Sequence, residues 1–328
     1  TATAKHLGGG SAKDLGKASV LGFISSSCSF AALSATRSLW TKGASFTSAL
    51  AYMFASTNLA VEVAILAYIF LGWQYSRALF VGAPIIVIIQ SFLVRLTYPQ
   101  KLAKKALAAA KKKAGGSADP SEGLPVSFKD KVKAGKTWRR VGQTYKGEWM
   151  MVYKEIGLGF LIAGFVATLV PESFFQAIFP VDMAIWLELP LQALMAPILS
   201  IITVIGSMGN GPLAAILANN GVLFGAIMAF LYADFNVPPA VKINAKYYGW
   251  PFAIYIAFIT GVSAILTGII VHVLFASLDI LPTSVKMLSE LATFSIDYTF
   301  WLNMVAIAIG TVLFVLSRKA KGSQHHHH

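Results

Sequence analysis

Hydrophobic and polar positions along this chain fall into apolar blocks separated by short polar breaks. Residues 18–39, 59–73, 78–96, 156–170, 183–205, 250–276 and 294–316 are apolar runs. Most approach the roughly 20 residues that a helix needs to cross a bilayer at about 1.5 Å per residue. Two further runs, 44–57 and 222–233, are only about a dozen residues long and predict helices too short to span. Residues 172–180 read as a short amphipathic helix at the membrane interface, and Pro190 and Pro197 predict bends in the run that contains them. The pattern predicts an all-α polytopic membrane protein of about eight to ten hydrophobic segments.

The two short runs occupy matching places. Sliding the sequence by 178 positions lays Ser29 on Ser207, Leu39 on Leu217, Gly43 on Gly221, Phe46 on Phe224, Ala51 on Ala229, Ala55 on Ala233, Asn58 on Asn236 and Val63 on Val241. That is eight identities in the 36 positions 28–63, against roughly three expected from apolar composition alone. The pattern predicts an internal duplication with short broken helices at its core. Such paired, Gly-interrupted segments are the best sequence pointer to a transporter's binding site. Whether the copies run parallel or inverted stays open, because it depends on how many of the intervening segments span.

Composition narrows the class. At 56% hydrophobic and 12% charged, with mean hydropathy +0.66, the 328-residue chain carries more apolar surface than one soluble core would bury. The formal charge of +13 does not point to nucleic acid, because 13 of the 27 Lys and Arg lie between residues 99 and 150 and Arg318, Lys319 and Lys321 follow the last apolar run. This is the positive-inside pattern. It places the basic segment 100–150 and the C-terminus in the cytoplasm of a multi-pass inner-membrane protein. The expected organisation is a first transmembrane repeat over 1–99, a basic linker over 100–150, a second repeat over 151–276, a C-terminal transmembrane helix over 277–321 and a histidine tail over 322–328. Trp138-Arg139-Arg140 and Trp149 within the basic segment are candidates for a lipid-headgroup or partner contact. The chain starts without Met and residues 1–16 are polar and Gly-rich, which leaves room for an upstream hydrophobic segment.

The candidate chemistry is sparse. Cys28, the only cysteine, follows three serines and offers a thiol to a soft electrophile or metal. Ser29, Asn58, Ser207, Asn210 and Asn236 are the polar groups expected to bind substrate. Glu62, Asp234 and Lys242 are charges in apolar surroundings and candidates for ion or proton coupling. Gly206, Gly209 and Gly211 break the second copy's long helix, and Gly43 and Gly221 form its turns and those of the first copy, so these five are expected hinges. Glu188 is expected at an interface, Arg37 at a helix end and His272 in a satisfied core position. No strand precedes a Gly-rich loop, no His pair has zinc spacing outside the tail, and no nucleophile–base spacing stands out, so no enzyme, cofactor or metal site is expected.

Cys28-Ser29, Lys42-Gly43-Ala44-Ser45 and Ala51-Tyr52-Met53-Phe54-Ala55, with Asn220-Gly221 and Ala229-Phe230-Leu231-Tyr232-Ala233-Asp234 in the second copy, resemble the repeated segments of ArsP-type predicted permeases. The resemblance implies an efflux permease for a small molecule, of the kind best known for trivalent organoarsenicals such as methylarsenite. In the family's P-x-C-S-C pattern the Pro is Ser26 here and the second Cys is Phe30, so several thiolates of one chain cannot capture arsenic together. The expected mechanism is alternating access around a midplane site between the repeats; a passive channel and a membrane-embedded thiol enzyme using Cys28 are the alternatives. Beyond substrate and lipid no partner is implied, and the sequence does not fix the oligomeric state.

Overall fold

In the computed structural model, the described residues are 7–26, 29–114, 135–180, 183–207, 209–282 and 298–321. They form helices and loops, with no strand among them. In chain order the α-helices are α1 (Ala12–Ser25), α2 (Ser29–Thr41), α3 (Phe46–Asn58), α4 (Val61–Leu71), α5 (Trp73–Thr97), α6 (Gln100–Ala114), α7 (Gly135–Leu169), α8 (Glu172–Ile178), α9 (Ile185–Thr203), α10 (Asn210–Asn219), α11 (Phe224–Tyr232), α12 (Pro238–Tyr248), α13 (Trp250–Ser277) and α14 (Tyr298–Lys321), with a 3-10 turn at Asp234–Asn236. The chain divides into two compact units, residues 1–115 with 157–291, and residues 116–156 with 292–328.

Local chemistry sets the helix starts. Ser11 and Asp14 form a reciprocal capping box on α1, which begins six residues before the apolar run because these caps satisfy its first free N–H groups. The Ser45 hydroxyl accepts from the Ser48 N–H at 3.2 Å and starts α3. Pro238 and Pro239 open α12, where a missing N–H costs nothing. Gly43 and Gly221 take φ of 109° and 82° in the two corresponding turns, a region a side chain would strain.

The centre of the first unit is two short apolar helices, α3 and α11. Every residue of α3 except Thr47 is buried, and all of α11 is buried. A helix apolar on every face needs neighbours all round, and at 13 and nine residues these two extend about 20 and 14 Å, short of a 30 Å hydrocarbon core. Three longer helices, α5, α9 and α13, have the length and apolarity to cross a membrane, and α3 with α4 makes a fourth such segment bent by 45°. Their outer faces carry exposed apolar side chains such as Ile88, Phe92, Ile202, Ile254 and Phe258. With no water to cover, such faces belong against lipid. The protein is a membrane protein.

The helices α1–α5 have counterparts, in the same order, in α9–α13. Residues 46–58 of α3 fall on 224–236, which is α11 plus its 3-10 turn, and Ser26 and Val204, again 178 apart, both adopt left-handed backbone with φ of 36° and 57°. Contacts between the two sets are reciprocal. Phe46 touches Tyr98 and Phe252, with ring centroids 5.9 and 5.1 Å away. Its counterpart Phe224 touches Phe275 and Tyr75 at 5.1 and 4.8 Å, residues 177 positions from Tyr98 and Phe252. In the same way α2 packs on α12 while α4 packs on α10. Contact of i with j answered by j with i is what a two-fold axis produces. Since Phe46 gathers the end of α5 and the start of α13, and Phe224 the start of α5 and the end of α13, the corresponding helices α5 and α13 pack antiparallel.

The segment read as a linker begins as a packed element: α6 buries Ala103, Ala106 and Ala110 and packs on α2, α12 and α13, its lysines spaced to leave an alanine stripe free for contact. Residues 18–39, which read as one run, are two helices with a break at Ser26. In α13, Gly268 meets the Gly225 carbonyl and Ala229 of α11 so closely that a Cβ would overlap them. Replacing Gly268 by Leu is expected to destabilise the bundle by about 1–3 kcal/mol, seen as a lower Tm in detergent, with Gly16→Leu on an open face as the neutral control.

Candidate functional site

Three helix breaks converge within the first unit. α1 ends at Ser26, whose N–H reaches back to the Gly22 and Phe23 carbonyls, and α2 starts at Ser29. α9 ends in left-handed Val204, and six residues later Asn210 begins α10. The third break is the 3-10 turn at Asp234 that follows α11. A serine from each of the first two breaks and the carboxylate of the third form one chain. Ser29 Oγ lies 3.2 Å from Ser207 Oγ and donates to Asp234 Oδ2 at 3.3 Å. Because the Ser29 proton goes to the carboxylate, Ser207 donates to Ser29. Asp234 is 1% exposed and Ser29 8%; a carboxylate so far from water needs such donors. Ser29 and Ser207 are the pair that the 178-residue shift superposes.

Asn210, 1% exposed, has neither its amide oxygen nor its amide nitrogen in a hydrogen bond. Three residues along the sequence from Ser207, it carries a donor and an acceptor without a hydrogen-bond partner. Leaving both unmade costs on the order of 1–3 kcal/mol each, so a polar guest is favoured there. Cys28 lies outside the described residues, although its neighbour Ser29 stands in the site.

The remaining sequence candidates are placed as follows. Asn58 and Asn236, both buried, do not bond each other: Asn58 Nδ2 donates to Thr57 Oγ1 at 3.2 Å, while Asn236 donates to the Ala257 carbonyl at 2.9 Å and accepts from Thr260 Oγ1 at 2.9 Å. The ends of α3 and the 3-10 turn meet instead through Phe54 and Phe235, centroids 5.1 Å apart. Glu62 is exposed and accepts from Ser26 Oγ at 2.8 Å, which ties its carboxylate to the break of α1. Lys242 is exposed on α12. Gly209 and Gly211 serve close approach: Gly159 packs on the Gly209 backbone and Phe70 on Gly211. Gly206 sits in the break itself, and its carbonyl accepts from the Gly209 N–H at 3.0 Å.

Other polar placements fix the scaffold around the site. Glu188, expected at an interface, is buried and accepts from Gln192 Nε2 at 3.1 Å, while Gln192 Oε1 takes the Leu223 N–H at 2.7 Å. This network ties α9 to the start of α11. His272 accepts the Gly225 N–H at 3.1 Å and is a satisfied core residue. Tyr232 donates to the Ala78 carbonyl at 2.8 Å, pinning α11 to α5. The Arg37 guanidinium lies over the Tyr247 ring, 4.5 Å from its centroid. A cavity of about 390 Å³ lies between α1, α2 and α3, lined by Leu21, Ser25, Ser38 and Tyr52 among others, with Tyr52 donating to Ser25 Oγ at 2.8 Å across it. Its polar lip is Ser25, next to the break at Ser26. Neither Tyr52 nor Gln192 stood out in the sequence, since each reads as ordinary helix.

A family model described as predicted permease, ArsP_1, matches residues 2–273. The chain belongs to the ArsP-type predicted permease family. The match spans both sets of broken helices and the whole serine–carboxylate site of this permease. A Mycobacterium tuberculosis protein named "Putative permease Rv2963" is 35% identical over 304 residues, covering 90% of this chain and 74% of that protein. No solved structure matches the chain.

Removing either hydroxyl of the serine pair loses the same link. In a double-mutant cycle of Ser29→Ala and Ser207→Ala, read by unfolding in detergent, the two substitutions are expected to be non-additive by about 1 kcal/mol; additive effects would show that the pair does not interact.

Proposed function

We propose that this permease exports a small molecule, a trivalent organoarsenical being the first candidate, by alternating access at the Ser29–Ser207–Asp234 site. The observation that supports this most is that two serines in corresponding breaks, 178 residues apart, hydrogen-bond to each other, and that one of them, Ser29, donates to a buried carboxylate. On this proposal the two sets of helices descend from a duplicated unit inserted in opposite orientations. Broken helices that meet in this way give a polar centre held by both halves, which rocking of one half against the other would open to either side. Ser29, Ser207 and Asn210 would hydrogen-bond the substrate, with Cys28 available as a single soft ligand for arsenic. A lone thiol binds trivalent arsenic in one bond that exchanges readily, which suits passage rather than storage.

Asp234 would carry the coupling proton. Ionised, it holds the Ser207–Ser29 chain; protonated, it loses most of that pull and frees both hydroxyls for a guest. Glu62, at the surface end of the α1 break, would be a relay rather than the central acid. Transport into everted membrane vesicles driven by a pH gradient tests the scheme, with methylarsenite as substrate. Asp234→Asn is expected to lower the initial rate at least tenfold, by the roughly 1.5–3 kcal/mol that a hydrogen bond to a charged group contributes. Glu62→Gln should retain most of it. Wild-type rates from Asp234→Asn, at any pH, would remove Asp234 from the mechanism; no methylarsenite uptake by the wild type would remove the substrate while leaving the site open to other small toxicants in the same assay.

A further inference from the structure

The second unit, described over residues 135–156 and 298–321, contributes none of the residues of the serine–carboxylate site, yet it holds a cavity of its own. Gly142 of α7 packs on Leu313, Leu316 and Ser317 of α14, and the Tyr145 hydroxyl packs on Gly310. Rising numbers on α7 therefore meet falling numbers on α14, and the two helices pack antiparallel. Between them runs an open groove of about 580 Å³ whose lining includes Tyr145, Trp149, Ile307, Gly310, Thr311 and Phe314. Tyr145 and Trp149 stack, centroids 6.4 Å apart and planes 7° from parallel. The Lys146 ammonium lies over the Phe314 ring, 5.1 Å from its centroid.

The antiparallel register sorts charge to one end. Lys136, Arg139 and Arg140 in the first turns of α7 come to the same end as Arg318, Lys319 and Lys321 in the last turns of α14. With Lys146 this gives seven cations against one carboxylate, Glu148, across residues 136–149 and 314–321. The groove lining on α14 reaches from Asn303 to Val315, about 18 Å at 1.5 Å per residue, close to the ~15 Å depth of one leaflet's hydrocarbon.

We propose that this groove is a binding site for an anionic phospholipid, one acyl chain lying on Tyr145, Trp149 and Ile307 and the phosphodiester held at the cationic end. An apolar slot of leaflet depth takes an acyl chain, and the excess of cations toward that end of the helix pair, Arg139 and Lys146 among them, selects a headgroup with net negative charge over a zwitterionic one. The placement of Arg318, Lys319 and Lys321 after the last apolar run makes this a lipid of the cytoplasmic leaflet. The proposal stands independently of the transport mechanism.

Native mass spectrometry of the full-length protein, released from micelles carrying equal amounts of phosphatidylglycerol and phosphatidylcholine with identical chains, tests it. One phosphatidylglycerol is expected to remain bound in clear preference to phosphatidylcholine. Arg139→Gln and Lys146→Gln should each cut that preference about fivefold. Ile307→Trp, at an exposed groove position, should lower occupancy by both lipids without changing Tm. Equal retention of the two lipids by the wild type, a preference untouched by Arg139→Gln with Lys146→Gln, or full occupancy in Ile307→Trp would overturn the proposal.

Discussion

Interrupting a helix at membrane depth leaves N–H and C=O groups that lipid cannot satisfy, and the first unit is arranged around that constraint. The polar side chains that flank the breaks at Ser26, Val204 and Asp234 turn toward one another. Each supplies what the others lack: a hydroxyl from Ser207, a second from Ser29 that receives it, and the Asp234 carboxylate to which Ser29 donates. The long helices α5, α9 and α13 then have a plain task, which is to wall this polar centre off from lipid. They do so with apolar outer faces and with inner faces of Ala, Gly and Ser that let backbones come close, as at Gly268 against Gly225.

The same arrangement explains why α3 and α11 are short and buried all round. A helix that ends inside the bundle needs its end capped by protein, and here Phe54 and Phe235 close the two ends against each other. Asn58 and Asn236, at those ends, turn to local carbonyl and hydroxyl partners. Both amides are thus held by partners close to their own helix ends, whereas Asn210 makes no hydrogen bond at either amide atom.

Much of the fold could be read from the chain because it rests on properties that sequence carries directly. Apolar runs of spanning length, the Lys42-Gly43 and Asn220-Gly221 turns, and the 178-residue correspondence of Phe46 with Phe224 all reappear as helices, turns and reciprocal contacts. Ser29, Ser207 and Asp234 were among the candidates, yet nothing in their spacing said they would touch, since hydrogen bonds over 178 and 205 residues depend on how α5 and α13 cross. Glu188 reads as interfacial from its place near a helix start, and is buried because Gln192, one turn on, neutralises its cost. The break at Ser26 was hidden within an apolar run, because left-handed backbone at a non-glycine residue has no compositional mark. The alanine stripe of α6 was masked by its lysines.

The likeness between the two sets of helices stops at the residue that matters most electrically. Asp234 corresponds to Ser56, and the Ser56 hydroxyl is spent on its own helix, donating to the Met53 carbonyl at 2.9 Å. At this pair of positions a buried carboxylate in one set of helices stands against a neutral hydroxyl in the other. Were the halves to trade conformations, the carboxylate would have to take up the surroundings of a serine. Two such arrangements would differ in energy, because a carboxylate and a hydroxyl are not equivalent guests of the same surroundings.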